Sequence, residues 1–402
     1  MEFYLLNEVQ QKIVDLVINS DKRVFILNGA AGTGKSFTLK TIIEEFKGSF
    51  ILTATTNKAK DLLQESTNQE CITTHNALGF KMVRNGMEEY LSKVRESLTA
   101  DLLIIDEYSM LPKALWDSAI NGEFKKILLV GDEAQLPAIG LKATIIPDIK
   151  VTLTEQMRQK SNKELENFMD NLREAIDKKR YIDLSTCNLP SNIHLYDKHK
   201  DFCKAYIECK NDKRILAYSN RVVDSYNSNI NYKNGKYNIS DLLVLNKPLG
   251  NLTNGSIVEI LEVIEFDKYF DIKVSCTPNS KIIKIFKTKG ARDEYLNLNG
   301  DPNGYWDRVD QVYDPKHLYS STIHKSQGQS IESVFIDLTD VYSAMTRKPT
   351  RFNNFNKPIS IQDYMKLLYV AISRMKKEAH IFIGKSRDYK KLRTKDERRS
   401  RI

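Results

Sequence analysis

Short apolar runs recur along the chain and alternate with stretches whose apolar residues carry helical spacing. In the first third, residues 24–28, 50–53, 102–105 and 127–130 read as strands. Strands separated by helical segments predict an α/β fold with a parallel sheet. A second set appears at residues 214–218, 333–338 and 380–383, with a helical pattern over 361–374 before the last. Between the two sets, from about residue 228 to 315, the pattern changes. Short alternating pieces at 256–263, 270–275 and 281–286, with Asn-Gly and Gly turns between them, predict a small β-barrel-like insertion. In the first set, Asn85-Gly86 lies between two extended pieces, the strongest short signal for a β-hairpin.

Composition agrees with a large globular enzyme. At 402 residues the chain exceeds one ordinary core, so two or more domains are expected. Hydrophobic residues at 41% and charged residues at 28% exclude a disordered chain. A net charge of +9 favours a polyanionic partner, since Lys and Arg gain free energy by releasing phosphate counterions; a solvated basic surface is the plainer alternative. No run approaches the ~20 apolar residues that span a bilayer, and the first ten residues lack a signal-peptide pattern, so no membrane and a cytoplasmic setting are expected. Five cysteines without a CxxC pair read as reduced thiols rather than a disulfide framework or a zinc site.

The chemistry enters with Gly29-Ala30-Ala31-Gly32-Thr33-Gly34-Lys35-Ser36, which follows the first strand and opens a helical pattern, as a P-loop requires. Its glycines let backbone N–H groups approach phosphates, Lys35 reaches the β- and γ-phosphates, and the Ser36 hydroxyl ligates Mg2+; ATP and Mg2+ are the expected ligands. At ordinary glycine usage such a match arises by chance in roughly one or two of a hundred chains this long. Leu102-Leu103-Ile104-Ile105 ends in Asp106-Glu107, suited to a Mg2+ ligand followed by a water-orienting base, against the plainer reading of an exposed strand end. A third strand ends in Gly131-Asp132-Glu133-Ala134-Gln135-Leu136-Pro137, at the carboxyl edge where such sheets bind ligands. Gln135 is the candidate γ-phosphate sensor, although Asp-x-x-Gln alone would be an ordinary loop.

In this order the three elements resemble motifs I, II and III of superfamily 1 helicases, and further segments resemble the remaining motifs. Leu6-Asn7-Glu8-Val9-Gln10 resembles the Q motif, which implies that Gln10 reads adenine. Leu153-Thr154-Glu155-Gln156-Met157-Arg158 resembles motif IV and Tyr369-Val370-Ala371-Ile372-Ser373-Arg374 motif VI, which implies arginine fingers at Arg158 and Arg374. Ser320-Ser321-Thr322-Ile323-His324-Lys325-Ser326-Gln327-Gly328 resembles motif V, linking nucleic acid to the nucleotide through Gln327 and Gly328. The segment from Arg214 to Arg221 resembles the start of the family's second motor domain. Thr53 to Lys60 and Thr73-Thr74-His75-Asn76 resemble the strand-contacting motifs of the first. The likeness is closest to the Dda-like helicases of T-even phages and to RecD-like enzymes. One departure stands in Thr55-Thr56-Asn57-Lys58, where Dda-like proteins commonly read Pro-Thr-His, so Asn57 lacks a stacking imidazole. The loop after Gln135 is closer to the RecD-like form.

The resemblance implies two RecA-like P-loop motor domains: residues 1–155, with an inserted hairpin subdomain at about 78–98, and residues 156–228 with 316–402. An SH3-like accessory domain would occupy 229–315. It also implies 5′-to-3′ translocation on single-stranded DNA, action at duplex junctions as a monomer, and a setting in phage replication or recombination in the host cytoplasm, with single-strand-binding or replisome proteins as candidate partners. Thr56, Lys58, Thr74, His75, Asn220, Thr322 and His324 are the expected strand contacts. Phe80, Tyr218 and Trp306 are candidate stacking residues worth ~1–3 kcal/mol per base, against ordinary core packing. Asn85 and Gly86 would form a strand-separating pin, against an ordinary surface hairpin. An RNA helicase or nucleoprotein-remodelling translocase is the nearest alternative, because nothing visible recognises a 2′-hydroxyl. A clamp-like NTPase would not need motifs IV to VI, and no second carboxylate cluster suggests a nuclease.

Overall fold

The computed structural model of the chain describes residues 6–30, 32–85, 88–137, 143–155, 163–230, 237–252, 256–276, 279–297, 302–347, 358–384 and 387. It divides into two compact units. One comprises Met1–Ser191, Gln327–Ser330 and Lys357–Arg374; the other comprises Asn192–Ser326, Ile331–Asn356 and Met375–Ile402.

The first unit contains β1 (Val24–Gly29), β2 (Phe50–Ala54), β3 (Cys71–Thr73), β4 (Phe80–Asn85), β5 (Glu88–Lys93), β6 (Ala100–Asp106), β7 (Phe124–Gly131) and β8 (Ile149–Leu153). Six of these form an all-parallel sheet in the order β3-β2-β6-β7-β1-β8. Every residue of β1 is buried. Alternate residues of β6 enter different cores, Leu102 and Ile104 packing with Leu39 and Ile42, Leu103 and Ile105 with Leu115 and Trp116. Such two-sided burial explains why these strands read as continuous apolar runs. Asn28 pairs with Gly131 and Asp106 with Val130, so the ends of β1, β6 and β7 come out along one edge of the sheet.

In the second unit, β9 (Ile193–Tyr196), β10 (Lys213–Ala217), β16 (Ser320–Thr322), β17 (Ile331–Asp337) and β18 (Met375–Phe382) form a parallel sheet in the order β16-β10-β17-β18-β9. Between β10 and β16 the chain builds a separate antiparallel sheet from β11 (Leu242–Val244), β12 (Ile257–Glu265), β13 (Tyr269–Val274), β14 (Lys281–Phe286) and β15 (Lys316–His317). Tyr313 N donates to Lys284 O at 2.9 Å, which brings the stretch ahead of β15 back to β14. This sheet has its own core, including Leu243, Ile260, Ile272 and Ile283.

The division differs from the one expected at residues 155 and 156. The helix Lys163–Asp177 and the helix Ile361–Ile372 pack on each other, and both fall in the first unit. In the hairpin, Asn85 pairs with Glu88 and is the last residue of β4. Gly86 lies outside the described residues.

Candidate nucleotide site and nucleic-acid interface

The P-loop is shaped by steric demands at its glycines. A Cβ on Gly29 would meet Thr33 Oγ1 at 2.6 Å, and Gly34 has φ 85°, which side-chain-bearing residues rarely adopt. Gly34 caps the helix Lys35–Glu45 without a side-chain hydrogen bond, so the first N–H groups of that helix stay free for an anion. Lys35 Nζ donates to Gly29 O and Ala30 O, each at 2.8 Å. Burial lowers the Lys35 pKa, while Asp132, Glu107 and Asp106 oppose that shift. The loop carbonyls occupy the ammonium's donors where phosphate oxygens would otherwise bind. Ala31 lies outside the described residues.

Asp106 ends β6, and Glu107 turns the chain with φ 54°. Burial, and next the charge of Glu107, raise the Asp106 pKa. Glu107 Oε2 is buried with no hydrogen-bond partner among the described residues. Both carboxylates line a cavity of about 800 Å³ together with Gln10, Gly32, Gly34, Lys35, Ser36, Gln135, Gly328 and Arg374. Gln135 Oε1 accepts from Gln327 Nε2 at 2.9 Å. Arg374 donates through Nη2 to Ser373 Oγ at 2.9 Å and through Nη1 to Gln329 O at 3.4 Å. It is 5% exposed, and burial lowers its pKa, with Glu107 opposing.

A second cavity of the first unit, about 740 Å³, is lined by Thr55, Thr56, Asn57, Lys60, Thr73, His75, Asn76 and Phe80 among others. Thr56 and Thr73 cap helices here, accepting from Ala59 N at 3.1 Å and Asn76 N at 3.3 Å. Burial lowers the His75 pKa, which favours a neutral imidazole. In the second unit, the rings of Tyr218 and His324 lie 6.1 Å apart, and Asn220 begins a helix with an exposed side chain.

Comparison with known proteins bears on both cavities. A family model described as AAA domain matches residues 5–186. The chain is 24% identical to the ATP-dependent DNA helicase dda of Enterobacteria phage T4, over 93% of this chain and 98% of that protein. It is 35% identical to the ATP-dependent RecD2 DNA helicase of Deinococcus radiodurans, over 37% of this chain and only 21% of that protein. Among solved structures, the Pif1 helicase from Candida albicans has the same fold, with TM-score 0.54 and 19% identity over 98% of this chain and 97% of that one. The chain is thus similar to DNA helicases of the Dda, RecD2 and Pif1 kind.

In this chain the residues expected at the nucleotide gather unevenly. Lys35, Ser36, Asp106, Glu107, Gln135 and Arg374 line one cavity, whereas Arg158 lies outside the described residues. The Gln10 side chain lines that cavity too, but both ends of its amide are engaged within the protein. Its Oε1 accepts from Asn7 N at 3.0 Å, and its Nε2 donates to Thr33 O at 3.4 Å. Thr74 departs from its expected role as a strand contact. It is fully buried, and its hydroxyl donates to Thr53 Oγ1 at 3.1 Å, because it packs under the sheet edge rather than on the cavity wall. Thr322 is likewise 7% exposed, and its hydroxyl accepts from Lys325 N at 3.3 Å. The side chains of Lys58 and Trp306 fall outside what is described. Sequence reasoning missed Asp132 and Arg173, which are paired at 3.2 Å behind Gln135. Asp132 carried a weak signal as the first polar residue after β7; Arg173, one residue past a buried leucine in a helix, carried none.

Proposed function

We propose that this chain is an ATP- and Mg2+-dependent motor that translocates 5′ to 3′ on single-stranded DNA and unwinds duplex. One observation carries the reading: Lys35, Ser36, Asp106, Glu107, Gln135 and Arg374, drawn from four separated stretches of chain, line one cavity. Ser36 and Asp106 would hold Mg2+, and they fit it. Two half-buried carboxylates lie side by side with a buried, unpartnered Glu107 oxygen, an arrangement that a cation relieves. Bound there, Mg2+ supplies charge neutralisation for the phosphates. Lys35 exchanges its two carbonyl acceptors for phosphate oxygens. Glu107 orients the attacking water and accepts its proton; Gln135 and Arg374 stabilise charge on the γ-phosphate.

Thr56, His75 and Phe80, with Asn76 and Lys60, give the second cavity hydroxyl, amide, ammonium and ring groups suited to a sugar-phosphate track with bases stacked beside it. Tyr218, Asn220 and His324 offer the same chemistry in the second unit. The hairpin β4–β5 is the proposed strand separator, and the antiparallel sheet β11–β15 the proposed accessory domain. DNA is the expected substrate because the dda and RecD2 proteins are named DNA helicases.

The test uses a short DNA duplex with a single-stranded tail at only the 5′ or only the 3′ end. ATP-dependent unwinding of the 5′-tailed duplex alone, lost in Lys35→Ala, is expected. Unwinding from the 3′ tail alone would reverse the polarity, and preferential unwinding of a matched RNA duplex would move the substrate to RNA.

A further inference from the structure

Behind Gln135 lies a buried ion-pair network whose members touch none of the groups assigned to phosphate chemistry through their own side chains. Asp132 is 0% exposed. Its Oδ2 accepts from the Tyr369 hydroxyl at 2.8 Å and from Arg173 Nη1 at 3.2 Å, and its Oδ1 accepts from Ala134 N at 3.0 Å. Arg173 Nη1 also donates to the Tyr369 oxygen at 3.0 Å. A buried carboxylate persists only when paired and hydrogen-bonded. Here the pairing joins three segments: the loop after β7, the helix Lys163–Asp177 and the helix Ile361–Ile372.

Each end of the network leads to a side chain on the wall of the nucleotide cavity. On one side, Gln135 N donates to Asp132 O at 3.0 Å, and the Ala134 bond closes the same turn, so the backbone of Gln135 is clamped. On the other, Ser373 N donates to Tyr369 O at 2.9 Å and Arg374 N to Ala371 O at 3.3 Å, so Tyr369 anchors the helix end that carries Arg374. Apolar packing alone would leave that helix free to shift along its axis. Hydrogen bonds to an ionised carboxylate are directional and resist the shift.

We infer that Asp132, Arg173 and Tyr369 form a positioning clamp that fixes Gln135 and Arg374 relative to one another at the γ-phosphate end of the cavity. The clamp rests on the ATPase reading proposed above. None of its three side chains lines the cavity, so its hydrogen bonds act through the two residues it holds, while the Asp132 charge is also felt at Lys35.

Tyr369→Phe removes one oxygen and leaves the ring. It is compared with the parent protein in three backgrounds, wild type, Gln135→Ala and Arg374→Lys, by steady-state ATP hydrolysis on single-stranded DNA with Mg2+, alongside thermal melting. In the wild-type background kcat should fall on the order of 10-fold while KM for ATP stays within about twofold, because misplaced groups are missed mainly in the transition state. In each altered background the same change should cost markedly less, since part of what the clamp positions is gone. Arg173→Lys, which keeps the charge and loses the fork, should reproduce the pattern if Tyr369→Phe fails to fold. Equal losses in all three backgrounds, or a loss confined to KM, would overturn the clamp. Hydrolysis that survives Lys35→Ala would instead overturn the ATPase reading on which the clamp depends.

Discussion

Glu107 shows most directly how local strain and electrostatics are combined at the site. A non-glycine residue in the left-handed region costs roughly 1–2 kcal/mol. The turn is held by Met110 N donating to Glu107 O at 3.0 Å and by Thr55 Oγ1 donating to the same oxygen at 3.3 Å. Its carboxylate adds to burial in raising the Asp106 pKa above the ordinary value of 3.8. Because the folded chain then holds that proton more tightly than the unfolded chain, the pair favours folding at acid pH. That contribution is lost as the pH rises from about 4 through the folded value. Glu107→Gln should therefore abolish hydrolysis while retaining nucleotide binding, and should flatten the fall in melting temperature of the nucleotide-free protein between about pH 4 and 8. A melting profile identical to wild type would show that Glu107 contributes nothing to the Asp106 shift.

At the scale of elements, a parallel sheet supplies the edge and helix starts supply the ligands. The helix Lys35–Glu45 begins uncapped at Gly34, ready for phosphate, whereas Asn57–Thr67 and Thr74–Ala77 begin under the hydroxyls of Thr56 and Thr73. The hairpin β4–β5 forms a separate two-stranded sheet in the first unit, and Phe80 at its base packs against the core that contains Leu103 and Trp116. If the hairpin splits duplex, deleting residues 84–89 should abolish unwinding of a tailed duplex and spare DNA-stimulated ATP hydrolysis, because the described residues that line the nucleotide cavity belong to other elements. Equal unwinding by the shortened protein would leave the hairpin an ordinary surface feature.

For the whole molecule, the net charge of +9 gives electrostatic attraction to nucleic acid a predictable signature. Single-stranded DNA affinity should fall linearly on a plot of log K against log salt, with a slope of about −0.7 per phosphate contacted. Fluorescence titrations of a labelled oligonucleotide across salt concentrations measure it, and a flat line would exclude a phosphate track. Among the described residues no helix is long and apolar enough to cross a membrane, and all five cysteines are free.

The strands that bury both faces were legible from the chain alone, since two-sided burial leaves an unbroken apolar run: residues 24–28, 102–105 and 127–130 all fall within observed strands. The P-loop and the acidic pair were legible because phosphate and Mg2+ chemistry demand particular residue types at short spacing. Strands such as Cys71–Thr73 and Ser320–Thr322 were not, being three residues long and partly polar. Tertiary structure alone decided that Thr74 is buried, that the Gln10 amide reaches Thr33 O, and that Asp132, Arg173 and Tyr369 meet. Residues 41 and 196 apart in the chain come within hydrogen-bond reach only once helices have packed, and a local pattern holds no record of that distance.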